Sequence, residues 1–130
     1  MPTAFERVYS KAVWEDLAGY CRALRAGDLV FVTGTAPVDE SGAGVHAPGD
    51  AAAQASRCLA LIEQALAKFG ADRSRVVRTR MFVTDISRWR EIGAAHAAFF
   101  GEHRPTTTMV EVKALIDPAM LIEVEADAVL

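Results

Sequence analysis

Residues 120–129 read MLIEVEADAV and are the most informative segment of the chain. Apolar side chains alternate with mostly acidic ones along its whole length, which is typical of a β-strand with one face in a core. The apolar side holds Met120, Ile122, Val124, Ala126 and Ala128, and the other side holds Leu121, Glu123, Glu125, Asp127 and Val129. The pattern predicts helices packed over the first side only.

Two segments have the periodicity of such helices. Within residues 50–69, apolar side chains recur every three or four positions and form one stripe. Asp50 suits the N-cap of this helix, and Gly70 suits its end. A second helix is predicted over residues 87–100, whose apolar face includes His96 as a packing residue.

The remaining periodic segments read as strands. Four are clear and two nearer the N-terminus are weaker, at 29–33, 76–84, 106–115 and 120–129, and at 5–9 and 20–24. Their order predicts a single α+β domain over residues 1–130, with a mixed six-stranded sheet, both helices on one face and a terminal hairpin. Because two helices cover only one face, we expect the other face to meet further subunits.

Composition narrows the class of protein. The hydrophobic fraction of 52% indicates a sizeable core and a buried interface, yet no apolar run approaches the roughly 18 residues of a membrane span. We therefore expect a cytoplasmic protein without a membrane partner. The net charge of −3 disfavours nucleic acid as a partner. Cys21, Cys58 and the three histidines have no metal-ligand spacing, so neither a metal nor another cofactor is predicted.

Five stretches, in order along the chain, resemble the RidA/YjgF family, also called endoribonuclease L-PSP-like. They are Tyr20 with 27–37 (GDLVFVTGTAP), 82–85 (FVTD), 97–100 (AAFF), 110–112 (VEV) and 122–126 (IEVEA). The resemblance implies a chorismate-mutase-like fold in which three subunits pack their sheets into a central barrel. It further implies ligand clefts between subunits and hydrolysis of reactive enamines and imines to 2-oxo acids and ammonia.

The resemblance also implies site residues. Glu123 matches the family glutamate that helps to place the hydrolytic water, and Tyr20 matches a family tyrosine. Thr33 matches the serine of a Ser-Gly turn, which places Gly34 in the same turn. The family arginine that clamps the substrate carboxylate is replaced by Thr107, which places the chain in a subgroup without that clamp. None of these residues is cationic, so a neutral or weakly anionic ligand is expected.

Each assignment has a structural alternative. Glu123 could belong to a solvated acidic strand face or pair with Lys113 or an arginine, and Tyr20 could be an interface aromatic. Thr33 and Thr107 are β-branched residues that suit strands in any case.

The function therefore stays open between two classes, and a third, the ribonuclease activity attached to the family by name, is disfavoured by the acidic charge balance. One is an enzyme of the hydrolase or deaminase type, acting on a small imine, enamine or related carbonyl compound but poorly on 2-iminopropionate. The other is a non-catalytic homotrimer that binds a small metabolite in the same clefts. The sequence does not identify the substrate.

Overall fold

The computed structural model describes residues 4–130. Six strands and three helices are present in this range, joined by loops and by short 3-10 turns. The strands are β1 (Glu6–Val8), β2 (Ala23–Ala26), β3 (Leu29–Thr35), β4 (Val76–Val83), β5 (Thr106–Glu111) and β6 (Ile122–Val129). The helices are α1 (Val13–Ala18), α2 (Ala51–Ala67) and α3 (Trp89–Phe100). The two long helices lie where the sequence predicts them, whereas the six-residue α1 carries too few residues to show a helical period.

The sheet is mixed, with the strand order β1-β2-β3-β6-β4-β5. The terminal strand β6 lies in the middle and pairs antiparallel with both β3 and β4. The predicted terminal hairpin is therefore wrong. Strand β5 lies at the edge of the sheet and pairs parallel with β4, not with β6. Helix α3 connects β4 to the parallel strand β5, so the three elements form a β-α-β unit. Residues 112–121 then connect β5 to β6, which lies on the other side of β4. Strand β5 also ends at Glu111, four residues earlier than predicted.

One face of the sheet and the two long helices share a single core. The apolar side of the terminal strand is fully covered, with Ile122 and Val124 at 0% exposure. The helices contribute large buried side chains, among them Leu59, Ile62 and Ile92. Each such side chain stabilises the fold by about 1.5–3 kcal/mol. The prediction of two helices on one face is confirmed.

The other face of the sheet is open. Leu29, Phe31 and Val129 are 47%, 46% and 38% exposed, and all three lie on the neighbouring strands β3 and β6. No helix in the described part of the chain covers them. An apolar patch in the middle of a sheet is a natural surface for association.

No helix within residues 4–130 has the length and apolarity that a membrane crossing requires.

Candidate active site

Strand β3 has an irregularity where it lies against the side chain of Glu123. Val32 is paired with Ala126 and Thr35 with Val124, so three steps along β3 correspond to two along β6. This is the signature of a β-bulge, and Thr33 and Gly34 are the residues within it. The side chain of Glu123 extends across the bulge, and its carboxylate rests against the backbone of Gly34. A glycine suits the observed position of Glu123, because a Cβ on residue 34 would meet its carboxylate.

Glu123 differs from the other acidic residues of its strand. Glu125 and Asp127 both pair with Arg80, at 3.2 and 3.4 Å. Glu123 is half-buried, and its carboxylate has no hydrogen-bond or salt-bridge partner among residues 4–130. Burial raises the pKa of Glu123, the charge of Arg22 partly offsets this, and Glu125 adds to the increase. A carboxylate in this state can accept a proton or a hydrogen bond from a bound molecule.

Arg22, the cation whose charge acts on Glu123, is a residue that no sequence pattern singles out. It is a single basic residue at the start of β2, and its role becomes visible only through its contacts. Nη1 of Arg22 donates to the carbonyl of Gly34 at 3.1 Å and to Oγ1 of Thr35 at 3.4 Å. The guanidinium also lies 5.9 Å from the ring centre of Tyr20. Arg22 thus connects the bulge to the strand beside it.

The opposite side of Arg22 is bound by Glu15 on α1. Nε and Nη2 both donate to Oε2 of Glu15, at 3.3 and 3.2 Å. The two side chains are only 11% and 3% exposed. Burial alone would raise the pKa of Glu15, but hydrogen bonds from Ser10 and Arg22 outweigh it, so the pKa is lowered. Glu15 therefore holds Arg22 as a buried ion pair, and α1 is tied to the site through it.

A cavity of about 450 Å³ opens beside Glu123. Tyr20, Arg22 and Gly34 line it next to the carboxylate, and its outer walls come from α1, α2 and the loops after β3 and β5. A second cavity, of about 900 Å³, lies on the open sheet face and contains Thr33 and again Tyr20. Tyr20 therefore lines both cavities, whereas Thr33 and Gly34 line different ones.

Thr107 lies apart from both cavities, on the edge strand β5. Its hydroxyl accepts a hydrogen bond of 2.7 Å from Thr79, and Thr79 in turn lies 2.8 Å from Nε2 of His96. His96 is buried against Phe100, as the sequence predicts, and burial lowers its pKa. Within one subunit, the structure brings together Glu123, Gly34 and Tyr20 but not Thr107.

The comparisons with known proteins agree with one another. The sequence model of the family described as endoribonuclease L-PSP matches residues 10–130. The 3-aminoacrylate deaminase RutC of Acinetobacter baylyi is 36% identical, over 86% of this chain and 87% of that protein. The 2-iminobutanoate/2-iminopropanoate deaminase of Escherichia coli is 32% identical, over 85% and 86%. The crystal structure of Rv2704 from Mycobacterium tuberculosis, a member of the YjgF/YER057c/UK114 family, is 48% identical, with a TM-score of 0.87 over 98% of this chain and 100% of that one.

Proposed function

The chain belongs to the endoribonuclease L-PSP family, the RidA/YjgF proteins with a chorismate-mutase-like fold, and we propose that it hydrolyses small imines or enamines. The observation that carries this proposal is the state of Glu123. Its carboxylate is half-buried, borders a cavity and has no protein partner among residues 4–130. A merely structural carboxylate that is shielded from water would be paired, as the more deeply buried Glu15 is with Arg22. The relatives that carry deaminase names make C=N hydrolysis the chemistry to test first.

In the proposed reaction, Glu123 is the general base. Water attacks the carbon of the protonated C=N bond while Glu123 accepts one of the protons of the water. Glu123 then returns this proton to the nitrogen and takes the hydroxyl proton as the carbinolamine collapses to a carbonyl. The departing ammonia carries that last proton away as ammonium. The amides of the bulge near Gly34 polarise the acceptor, whereas the Thr33 side chain lines the other cavity and takes no part in this step. The balance is one protonated imine and one water in, one carbonyl compound and one ammonium ion out.

The active form is proposed to be a homotrimer. The open sheet face with Leu29, Phe31 and Val129 supplies the apolar surface for it. In such an assembly the edge strand β5 of one copy can approach the cavity of the next, which brings Thr107 to the cleft. Native mass measurement should give three times the subunit mass of 14.0 kDa. A stable monomer at micromolar concentration would contradict this part of the proposal.

Thr107 shapes the expected substrate range. A threonine offers one neutral hydroxyl, and here that hydroxyl already accepts a hydrogen bond from Thr79. A bidentate guanidinium–carboxylate pair is much stronger than a single neutral hydrogen bond. We therefore expect little activity on 2-iminopropionate generated in situ. A rate equal to that of an arginine-bearing relative would show that Thr107 has been misinterpreted.

A general test measures ammonia release from several imines produced in situ by flavin oxidases. The wild-type protein should accelerate release from at least one of them, and Glu123→Gln, which keeps the shape and removes the charge, should not. The second candidate is a binding protein without turnover, which the absence of a carboxylate clamp at Thr107 favours. Its signature would be saturable binding of a small metabolite in the cleft with no acceleration of any imine.

A further inference from the structure

The walls of the 450 Å³ cavity beside Glu123 include large apolar side chains. Trp14 from α1, Leu61 from α2 and Ile116 from the loop after β5 line them. Ile116 is 69% exposed and Trp14 is half-buried, so both can be covered further by a bound molecule. Covering such surfaces favours a ligand with an apolar body.

The cations that border this cavity are already occupied by protein groups. Arg22 has Glu15 on one side and Gly34 and Thr35 on the other, which uses four of its five N–H groups. A substrate carboxylate that approached it would compete with a buried carboxylate already in place. Arg22 therefore stabilises the bulge, and its guanidinium is not free to bind the carboxylate of a substrate.

Arg57, the second buried cation, is held in a similar way. Its Nε donates to the carbonyl of Val38 at 2.8 Å, and Nη2 donates to that of Asp39 at 3.5 Å. These bonds fix the loop after β3 to α2. The two lysines of the cavity lie at its exposed rim, where water screens their charge, and Nζ of Lys68 bonds the carbonyl of Tyr9.

The free polar group in the interior is an acceptor. Glu123 has no partner among the described residues, and a carboxylate is best complemented by an N–H donor, above all a cationic one. A protonated imine is such a donor, because its C=NH2⁺ group brings a positive charge and two N–H bonds. A substrate carboxylate on the imine carbon would instead lie near the carboxylate of Glu123 and would find no free cation among the described residues of the cavity interior.

From this geometry, and resting on the proposed function, we propose that the cavity takes imines without a carboxylate, carrying an apolar or aromatic substituent. The reaction is R–CH=NH2⁺ plus water to R–CHO plus NH4⁺, so no oxidant or further reactant is needed. This class of substrate arises when an oxidase acts on a primary amine rather than on an amino acid. The replacement of arginine by Thr107 then accompanies a change of substrate instead of a loss of activity.

A matched pair of probes tests this inference. An imine-releasing flavin amine oxidase converts 2-phenylethylamine to 2-phenylethan-1-imine, and an L-amino-acid oxidase converts phenylalanine to 2-imino-3-phenylpropanoate. The two imines differ only in the carboxylate. With catalase present and semicarbazide as a competing trap, the wild-type protein should lower the initial rate of semicarbazone formation, because the carbonyl products react with semicarbazide more slowly than the imines do. We expect kcat/KM for the neutral probe to exceed that for the acid by about tenfold or more.

Variants link the result to the cavity. Glu123→Gln should abolish acceleration of the neutral probe. Trp14→Ala should raise KM for the phenyl probe several-fold with a smaller effect on kcat, while ethanimine made from ethylamine should be little affected. Equal or better use of the acid probe would overturn the inference and leave imine hydrolysis standing. No acceleration of any probe, in a protein that is folded and assembled, would instead remove the proposed function itself.

Discussion

The carboxylate of Glu123 occupies the space that Gly34 leaves by having no side chain. A Cβ placed on Gly34 would stand 2.6 Å from Oε1 of Glu123, far closer than real contacts allow. Gly34 does not have a left-handed backbone, so an alanine fits there without backbone strain. The conflict is therefore confined to the end of one flexible side chain, which can move away at little cost.

Gly34→Ala should consequently separate activity from stability. The displaced carboxylate would no longer hold water at the reacting carbon, and a shift of this size can lower the rate by about a hundredfold. The unfolding midpoint should change little. Ammonia release from the neutral imine and a urea unfolding curve, recorded at the same protein concentration, measure the two effects.

The matched control is Gly93→Ala in helix α3. A Cβ at Gly93 meets no atom within 4 Å, and alanine is favoured over glycine in a helix by about 1 kcal/mol. This variant should keep its activity and gain stability. If Gly34→Ala remained as active as the wild-type protein, Glu123 would not need its observed position and its role as base would be lost.

Glu123→Gln is expected to stabilise the fold at neutral pH. Burial raises the pKa of Glu123, so the ionised form costs folding free energy that the neutral amide avoids. Because the pKa of Glu123 is raised in the native state, protonation of Glu123 removes this cost, and the wild-type protein then gains stability relative to its state at neutral pH. The advantage of the amide should therefore shrink as the pH falls through the raised pKa of Glu123 towards its ordinary value.

Thermal unfolding of the wild-type protein and Glu123→Gln between neutral and acid pH would reveal this trend. Glu125→Gln is the control, because Glu125 pairs with Arg80 and its loss should not stabilise. Destabilisation by Glu123→Gln at pH 7, together with weakening of the assembly, would instead identify Glu123 as a structural ion-pair partner.

Removing one member of the buried pair of Glu15 and Arg22 should be costly. Glu15→Gln leaves the guanidinium of Arg22 in a buried site without its counter-charge, which costs about 3 kcal/mol. The pKa of Glu15 is lowered, so its contribution is present above the pKa of an unfolded glutamate and is lost as the pH falls through the lowered value. Urea unfolding of Glu15→Gln at pH 7 and at acid pH should show a smaller difference from the wild-type protein at acid pH.

The double variant Glu15→Leu/Arg22→Met provides the control. It removes both charges together, so it should recover part of the stability lost in Glu15→Gln. If the single variant matched the wild-type protein at pH 7, the pair would be solvated and α1 would not be tied to the bulge.

The sequence predicted the long elements because their periods are strong. Residues 122–128 alternate between apolar and acidic side chains, and the core side of that strand is buried as expected. The position of β6 between β3 and β4 could not be read from the same pattern, because alternation fixes which face a residue takes but not which strand is its neighbour. This is why a terminal hairpin was predicted where β5 in fact pairs with β4.

The site was predictable where a residue type carried the signal. Glu123 and Gly34 could be singled out from the family resemblance, and the structure brings them into contact. Arg22 and Glu15 could not, because each is a single charged residue in a short element, and only the fold reveals that they are buried together. The ligand class expected from the sequence therefore takes no account of the buried pair of Arg22 and Glu15 beside the site.

The last prediction concerns the hydrogen-bonded row formed by His96, Thr79 and Thr107. Thr79 is fully buried, and its hydroxyl lies 2.8 Å from His96 and 2.7 Å from Thr107. Thr79→Val keeps the shape but leaves Nε2 of His96 buried without its partner, which should cost about 1–3 kcal/mol. Thr107→Val removes only the exposed end of the row and should stay within about 0.5 kcal/mol of the wild-type protein. Urea unfolding compares the two variants, and NMR of the imidazole nitrogens should show a changed His96 only in Thr79→Val. Equal stability losses in both variants would mean that Thr107 is buried in the assembled protein and that the row extends into a subunit interface.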